Sequence, residues 1–136
     1  MPRLVLGSRN RKKLGELIDL LGDLPIDLTD LSPYPDAPEV DETGTTFIEN
    51  ARLKAVTLAP VLNAWVLGED SGLVVPALGG QPGVYSARWA GTHGDDAANN
   101  AKLLRELGGK VGDQRAGYYV STIALCDPTG KVVAQV

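Results

Sequence analysis

Residues 3–22, RLVLGSRNRKKLGELIDLLG, carry the pattern that decides the fold. The apolar run that ends at Gly7 is typical of a short buried strand. Apolar residues then recur with the period of a helix, at Leu14, Leu17, Ile18 and Leu21, and Gly22 is a typical helix stop. The stretch therefore predicts a strand that leads through a basic loop into a helix, the first unit of an α/β fold.

Two further helices are predicted on either side of the middle of the chain. Thr46 and Glu49 have the spacing of a capping box, and the apolar face that follows them extends to about Asn63. Asp95 or Asp96 can cap a third helix, which the glycines after residue 107 would end. Between the first two helices, residues 32–44 form a proline-rich acidic loop with no regular structure.

The remaining apolar segments are predicted as strands. They lie at residues 65–67, 73–75, 84–89, 117–125 and 131–136, and the last two read as a hairpin. Strands and helices alternate early and strands dominate late, which favours a mixed central β-sheet flanked by helices. The length of 136 residues suits one domain over residues 1–136.

Composition narrows the class of protein. The chain has 13 Lys and Arg against 17 Asp and Glu, a net charge of -4, which argues against sequence-independent nucleic-acid binding. Cys126 is the only cysteine, so an intramolecular disulfide and a thiolate metal cluster are excluded, and we expect it in the core. No apolar run is long enough for a signal peptide or a membrane span. These features predict a cytoplasmic protein with no membrane partner.

The basic loop is electrostatically unusual. Arg9, Arg11, Lys12 and Lys13 crowd a helix N-terminus, where each cation should cost on the order of 0.3 to 1 kcal/mol unless an anion compensates. Helix N-termini bind anions through free N–H groups, to which Ser8 and Asn10 would add side-chain donors. A solvated basic turn with Asn10 as the N-cap explains the same residues equally well. The Walker pattern is absent.

A second set of candidates is acidic. Glu42 lies in the loop before the second helix, and the pair Glu69–Asp70 follows an apolar run. Neighbouring strand residues point to opposite faces, so both carboxylates reach one cleft only if the chain ends or bends at Ser71. Turn chemistry is the alternative explanation. Separated carboxylates beside a cationic loop suit a phosphate ester with Mg²⁺ or Mn²⁺, the metals that oxygen ligands favour.

Several stretches, in this order, resemble the inosine/xanthosine triphosphate pyrophosphatase family, the Ham1-like proteins. They are SRNRKKLGEL, DETGTTFIENARLKA, LGEDSGLVVPALGGQPGVYSARWAG and, more weakly, NNAKLLREL and DQRAGYYVSTIAL. The resemblance implies a two-lobed α/β fold with a nucleotide cleft. It also implies Mg²⁺-dependent hydrolysis of deaminated purine nucleoside triphosphates such as ITP, dITP and XTP to the monophosphate and pyrophosphate, by a protein that is usually a homodimer.

Site residues follow from the resemblance by position. The triphosphate loop corresponds to Ser8, Arg9, Asn10, Arg11, Lys12 and Lys13, and further substrate contacts correspond to Lys54 and Ser71. The metal positions correspond to Glu42, Glu69 and Asp70. Asp70 also matches the position of the proton acceptor.

The resemblance is incomplete at its C-terminal end. Members of the family carry a later FGYDP-like segment and a Ser-His-Arg segment that hold the purine, and neither is present here. We therefore expect the chain to correspond to the N-terminal portion of the domain. A catalytically impaired nucleotide-binding fragment is one alternative function. A Maf-like nucleotide pyrophosphatase is another, although those proteins tend to have arginines where this chain has Asn10 and Lys13.

Overall fold

The structure, a computed structural model, describes residues 1–136. Its strands and α-helices follow one another as β1 (Arg3–Leu6), α1 (Arg11–Leu21), β2 (Asp27–Thr29), α2 (Phe47–Leu62), β3 (Trp65–Val74), α3 (Asp96–Glu106), β4 (Tyr118–Cys126) and β5 (Val132–Gln135). Short 3-10 helices lie between β3 and β4, at Pro76–Leu78, Gly83–Arg88 and Gly112–Arg115. No helix combines the length and the apolar character that crossing a membrane requires.

The five strands form one mixed sheet in the order β2-β1-β3-β4-β5. Strand β1 is parallel to both of its neighbours, β2 and β3. Strands β4 and β5 are antiparallel and form the predicted hairpin. The prediction of a mixed sheet flanked by helices is therefore confirmed.

Two compact units divide the chain, the first comprising residues 1–70 and 122–136 and the second residues 71–121. In the first unit, strands β1 and β3 place buried side chains on both faces of the sheet. Val5 and Val66 pack with α2, whereas Leu6 and Leu67 pack with Leu14 of α1. Each such side chain contributes about 1.5 to 3 kcal/mol through burial, so these layers hold both helices on the sheet.

In the second unit, Asn99 joins α3 to the 3-10 helix Gly83–Arg88. Its side chain accepts a hydrogen bond from the Ala90 N–H at 2.8 Å and donates one to the Ala87 carbonyl at 3.1 Å. Because Asn99 is buried, both bonds are protected from water.

The predicted helix boundaries are confirmed by their caps. Asn10, Thr46 and Asp95 are the N-caps of α1, α2 and α3, and each side chain accepts a hydrogen bond from the first turn. Gly22 caps the end of α1, and Asn63 ends α2 in the left-handed conformation with φ 48°.

Two predicted segments are wrong. Residues 84–89 do not form a strand, because they belong mostly to the 3-10 helix Gly83–Arg88, which Ser86 stabilises by donating its hydroxyl to the Gly83 carbonyl at 2.7 Å. The separate segments 65–67 and 73–75 are instead joined in the single ten-residue strand β3. The stretch EDSG therefore lies inside a strand, and it is neither a turn nor a strand end.

Candidate active site

The loop between β1 and α1 is organised by its own polar side chains. The Ser8 hydroxyl accepts a hydrogen bond from the Asn10 N–H at 3.0 Å, and the Asn10 side chain accepts one from the Lys12 N–H at 3.0 Å. The interpretation of Asn10 as the N-cap is thus confirmed. A capped N-terminus still carries partial positive charge, so phosphate binding by residues 8–13 stays a prediction.

The four cations of this loop have different surroundings. Arg9 donates to three backbone carbonyls at 3.1 to 3.3 Å, and Arg11 donates to the Ser32 hydroxyl at 3.0 Å. Lys13 Nζ lies 2.5 Å from Glu69 Oε2, whereas Lys12 is exposed. Contacts within the chain therefore offset much of the cost of placing cations at this helix end.

Glu69 and Asp70 lie just past the end of β1. The parallel pairing of β1 with β3 ends at Leu6 and Leu67, and β3 continues beyond it. Ligands of open α/β sheets bind in the crevice outside the carboxyl ends of the strands. The acidic pair therefore has the position expected of a site residue even though β3 does not end there.

Alternation along β3 separates the two carboxylates. Glu69 shares the face of Leu67 and meets Lys13 of α1. Asp70 shares the face of Val66, on which α2 packs, and α2 places Asn50 and Lys54 close enough to Asp70 to influence its carboxyl. The continuous strand thus directs the two side chains to opposite faces of the sheet.

Lys54 is the centre of the group on the α2 side. Its ammonium forms an ion pair with Glu42 and donates to the Glu69 carbonyl oxygen at 2.8 Å. The Glu42 and Lys54 side chains are only 17% and 18% exposed, so this pair is much less hydrated than a surface pair. One lysine thereby connects the acidic loop, helix α2 and strand β3.

Asp70 is buried, and this burial raises the pKa of its carboxyl above the ordinary value. The positive charge of Lys54 opposes the shift in pKa, while the negative charges of Glu42 and Glu69 add to it. The nearby side-chain amide of Asn50 also lowers the pKa. The Asp70 carboxyl is therefore a stronger base than an exposed aspartate.

Asn50 is a site residue that sequence reasoning missed. It is wholly buried, and its side-chain oxygen accepts a hydrogen bond from the Gly44 N–H at 2.8 Å, two residues after Glu42. The available signal was a polar residue next to Ala51 on the apolar face of α2.

No three acidic, histidine or cysteine side chains form a group that could hold a metal ion by themselves. The predicted set of Glu42, Glu69 and Asp70 is therefore not a preformed three-carboxylate metal cage, although both glutamates act electrostatically on the Asp70 carboxyl. Mg²⁺ commonly uses only one or two carboxylates and takes its other ligands from water and substrate phosphates. Glu42 and Asp70, which interact electrostatically on the α2 side, fit that requirement.

The sheet order, a helix on each face and charged pairs past the end of β1 define an α/β protein with a polar site at the carboxyl end of parallel strands. The chain belongs to the Ham1 family, whose model matches residues 4–136. The resemblance seen in the motifs is therefore confirmed.

Relatives and solved structures agree with this assignment. A dITP/XTP pyrophosphatase of Geobacter sulfurreducens is 50% identical over 131 residues, which are 96% of this chain and 66% of the relative. One from Rhodopirellula baltica is 54% identical over 95% of this chain and 62% of its own length. A HAM1 protein from Coxiella burnetii superposes with a TM-score of 0.87 at 36% identity, covering 100% of this chain and 68% of that one. The chain thus spans a little under two thirds of the length of these curated relatives.

We expect Lys54→Met to destabilise the protein by about 1 to 3 kcal/mol, between the values for exposed and buried ion pairs. The methionine keeps the apolar part of the side chain but leaves Glu42 without the Lys54 charge. Urea unfolding at pH 7 measures the effect.

The matched control is the double variant Lys54→Met with Glu42→Gln, which removes both charges of the pair. It should recover part of the lost stability, because no uncompensated carboxylate is left at that position. Strictly additive losses from the two single changes would show that the pair contributes nothing.

Proposed function

We propose that the protein hydrolyses ITP, dITP and XTP, the triphosphates of deaminated purine nucleosides, to the monophosphate and pyrophosphate, and so keeps these nucleotides out of DNA and RNA. One observation carries the proposal: Lys13 and Lys54 lie beside the carboxylates at the carboxyl end of the parallel strands. Hydrolysis of a polyphosphate needs cations for the substrate and a carboxylate for water. The names of the relatives support the substrate class.

The triphosphate is bound by Ser8 and residues 10–13 of the basic loop, together with Lys54 and Ser71. The N-terminus of α1 supplies partial positive charge, and Lys13 exchanges its contact with Glu69 for a phosphate oxygen. Ser71 is exposed directly after Asp70 and contacts the substrate there. The resting ion pair of Lys13 thus holds the lysine in place until the anion arrives.

Mg²⁺ is the cofactor in this proposal, with Mn²⁺ as a possible substitute. Glu42 and Asp70 would hold it, and Glu69 is the third carboxylate that the family motif implies. When bound, the ion supplies positive charge to the phosphates and to the pyrophosphate leaving group. Oxygen ligands of this kind fit a hard divalent cation better than zinc.

Asp70 accepts a proton from the attacking water. The water oxygen forms a bond to the α-phosphorus, and the bond from that phosphorus to the oxygen bridging to the β-phosphorus breaks, so that pyrophosphate leaves. Burial, which raises the pKa of Asp70, strengthens it as a proton acceptor, and the positive charge of Lys54 opposes this rise by favouring the ionised form.

Incubation with ITP, XTP, GTP or ATP and Mg²⁺, followed by separation of the products, tests the function. We expect pyrophosphate as the second product and faster turnover of ITP and XTP than of ATP. Orthophosphate as the product, or equal rates on ATP, would contradict the proposal. Calorimetric binding of ITP without turnover would favour a nucleotide-binding chain that does not hydrolyse its ligand.

A homodimer and a cytoplasmic location are further proposals. The homodimer is proposed from the family resemblance. The cytoplasmic location is proposed because Cys126 is the only cysteine, which fits a reducing compartment. Neither is needed for the chemistry described for Asp70.

A further inference from the structure

The guanidinium group of Arg9 is engaged by the backbone. Its Nη1 donates to the Leu31 carbonyl at 3.3 Å, and its Nη2 donates to the Tyr34 carbonyl at 3.2 Å and the Ala37 carbonyl at 3.1 Å. All three acceptors lie at the start of the proline-rich loop. Arg9 therefore binds the backbone of a segment that is more than twenty residues away in sequence.

Local turns explain why one side chain reaches three carbonyls. The Tyr34 N–H bonds to the Leu31 carbonyl at 2.9 Å, and the Ala37 N–H bonds to the Tyr34 carbonyl at 3.1 Å. Two successive turns with a spacing of three residues bring these carbonyls to one side of the chain. A planar guanidinium has several donors in fixed directions, which suits such a set.

Further hydrogen bonds join the same two segments. The Leu31 N–H donates to the Ser8 carbonyl at 3.1 Å, and Arg11 donates to the Ser32 hydroxyl at 3.0 Å. The loop that begins there continues to Glu42, which pairs with Lys54. The basic loop and the loop that carries Glu42 are thus fastened to each other beside the start of α1.

We propose that Arg9 is a positioning residue that fastens residues 31–37 to the basic loop, rather than a ligand of the triphosphate. Through this contact Arg9 holds the loop that contains Glu42 in a fixed position beside residues 8–13. The catalytic consequence of this role rests on the function proposed above. The structural consequence does not, because the contacts are present in the protein without substrate.

A change of Arg9 to lysine separates the two roles. Lysine keeps the positive charge, so a phosphate ligand would remain largely effective. It cannot reproduce a guanidinium that donates from two nitrogens to three carbonyls. A positioning role therefore predicts that Arg9→Lys is as impaired as Arg9→Gln. A ligand role predicts that Arg9→Lys retains most of the wild-type function.

Amide hydrogen exchange of the free protein is the first measurement. We expect the protection of the Tyr34 and Ala37 amides to fall about tenfold in both Arg9 variants. Arg115→Lys is the matched control, since Arg115 also donates to two loop carbonyls, those of Leu107 and Lys110, at 3.2 Å each. That variant should leave the protection of Tyr34 and Ala37 unchanged. Unchanged protection in both Arg9 variants would overturn the proposal.

Kinetics with ITP and binding of tripolyphosphate form the second measurement. In Arg9→Lys we expect kcat to fall about tenfold or more, because small displacements of catalytic groups are costly, while KM and the tripolyphosphate affinity change by about twofold or less. Wild-type kcat in Arg9→Lys, with tripolyphosphate binding lost only in Arg9→Gln, would assign Arg9 as a ligand instead. If the wild-type chain does not hydrolyse ITP, the proposed function fails, and the exchange experiment still decides the role of Arg9.

Discussion

Asp70→Asn is expected to reduce hydrolysis of ITP about a thousandfold while leaving the fold intact. Asparagine has nearly the shape of aspartate but cannot accept the proton of the attacking water, and general-base catalysis contributes about 10² to 10⁴. Helix α2 and the Lys54–Glu42 pair keep their own contacts. Initial rates of pyrophosphate release, measured beside circular dichroism, test the prediction, and wild-type turnover by the variant would remove Asp70 from the mechanism.

The same variant should be more stable than the wild type at neutral pH without metal. The folded pKa of Asp70 is raised by burial, so the native state binds its proton more tightly than the unfolded chain does. This tighter proton binding stabilises the folded protein fully at pH values below 3.8, the ordinary pKa of aspartate, and the stabilisation is lost as pH rises through the folded pKa. Thermal unfolding in EDTA should therefore show that Asp70→Asn is more stable than the wild type near pH 7. This difference in stability should shrink below about pH 4.

Asp30→Asn is the matched control, because Asp30 is also buried but its pKa is lowered, whereas the pKa of Asp70 is raised. Burial raises the pKa of Asp30, yet hydrogen bonds from Ser32 and the charge of Arg11 more than offset this and leave the pKa lowered. Its carboxylate contributes stability above the ordinary pKa, and this stability is lost as pH falls through the folded pKa. Asp30→Asn should thus lose stability at pH 7, where Asp70→Asn gains it.

Local patterns were sufficient for the helices of the first unit. The period of Leu14 and Leu17 and the caps Asn10 and Thr46 act within a few residues, so the sequence contains nearly all of the information. Strand β3 was harder to predict. Ser71 and Gly72 have turn chemistry, but pairing within the sheet keeps the chain extended through them. Such pairing is a tertiary effect that no local pattern contains.

The candidate site was predicted residue by residue but not as an arrangement. Alternation along a strand allowed Glu69 and Asp70 to reach one cleft only if the chain ended or bent at Ser71, and β3 instead continues through Ser71 as a strand. The contact of Lys13 with Glu69 joins residues 56 apart in sequence and depends on β1 lying beside β3. The contacts of Arg9 and Asn50 could not be predicted either, because their partners are backbone groups of an irregular loop.

One of the cations at the start of α1 already has an anionic partner within the chain, which the sequence did not reveal. A crowded set of cations implied an external anion, yet Glu69 already supplies one carboxylate to Lys13. A bound phosphate would therefore replace an existing partner of Lys13 and would not neutralise a bare cation. We accordingly expect the affinity of the site for phosphate to reflect a difference between two ion pairs, which is smaller than the energy of either.

Gly68→Ala is expected to have the largest effect on stability, a loss of about 3 kcal/mol or more. A Cβ atom at Gly68 would lie 2.0 Å from the Ala51 carbonyl oxygen and 3.0 Å from the Ala55 nitrogen, both of them backbone atoms of α2. Because a helix backbone cannot rotate away as a side chain can, α2 must shift from the sheet. Urea unfolding of the variant measures the loss.

Gly15→Ala is the matched control, since nothing lies within 4 Å of a Cβ added to this helical glycine. It should stabilise the protein by about 0.5 to 1 kcal/mol, the usual gain of alanine over glycine in a helix. In Gly68→Ala the displaced helix would also draw Lys54 from the Glu69 carbonyl, so hydrolysis should fall even at temperatures where the variant remains folded. A Gly68→Ala protein as stable and as active as the Gly15→Ala control would show that the close approach of α2 to β3 is not required, and that the positions of Asn50 and Lys54 depend on other contacts.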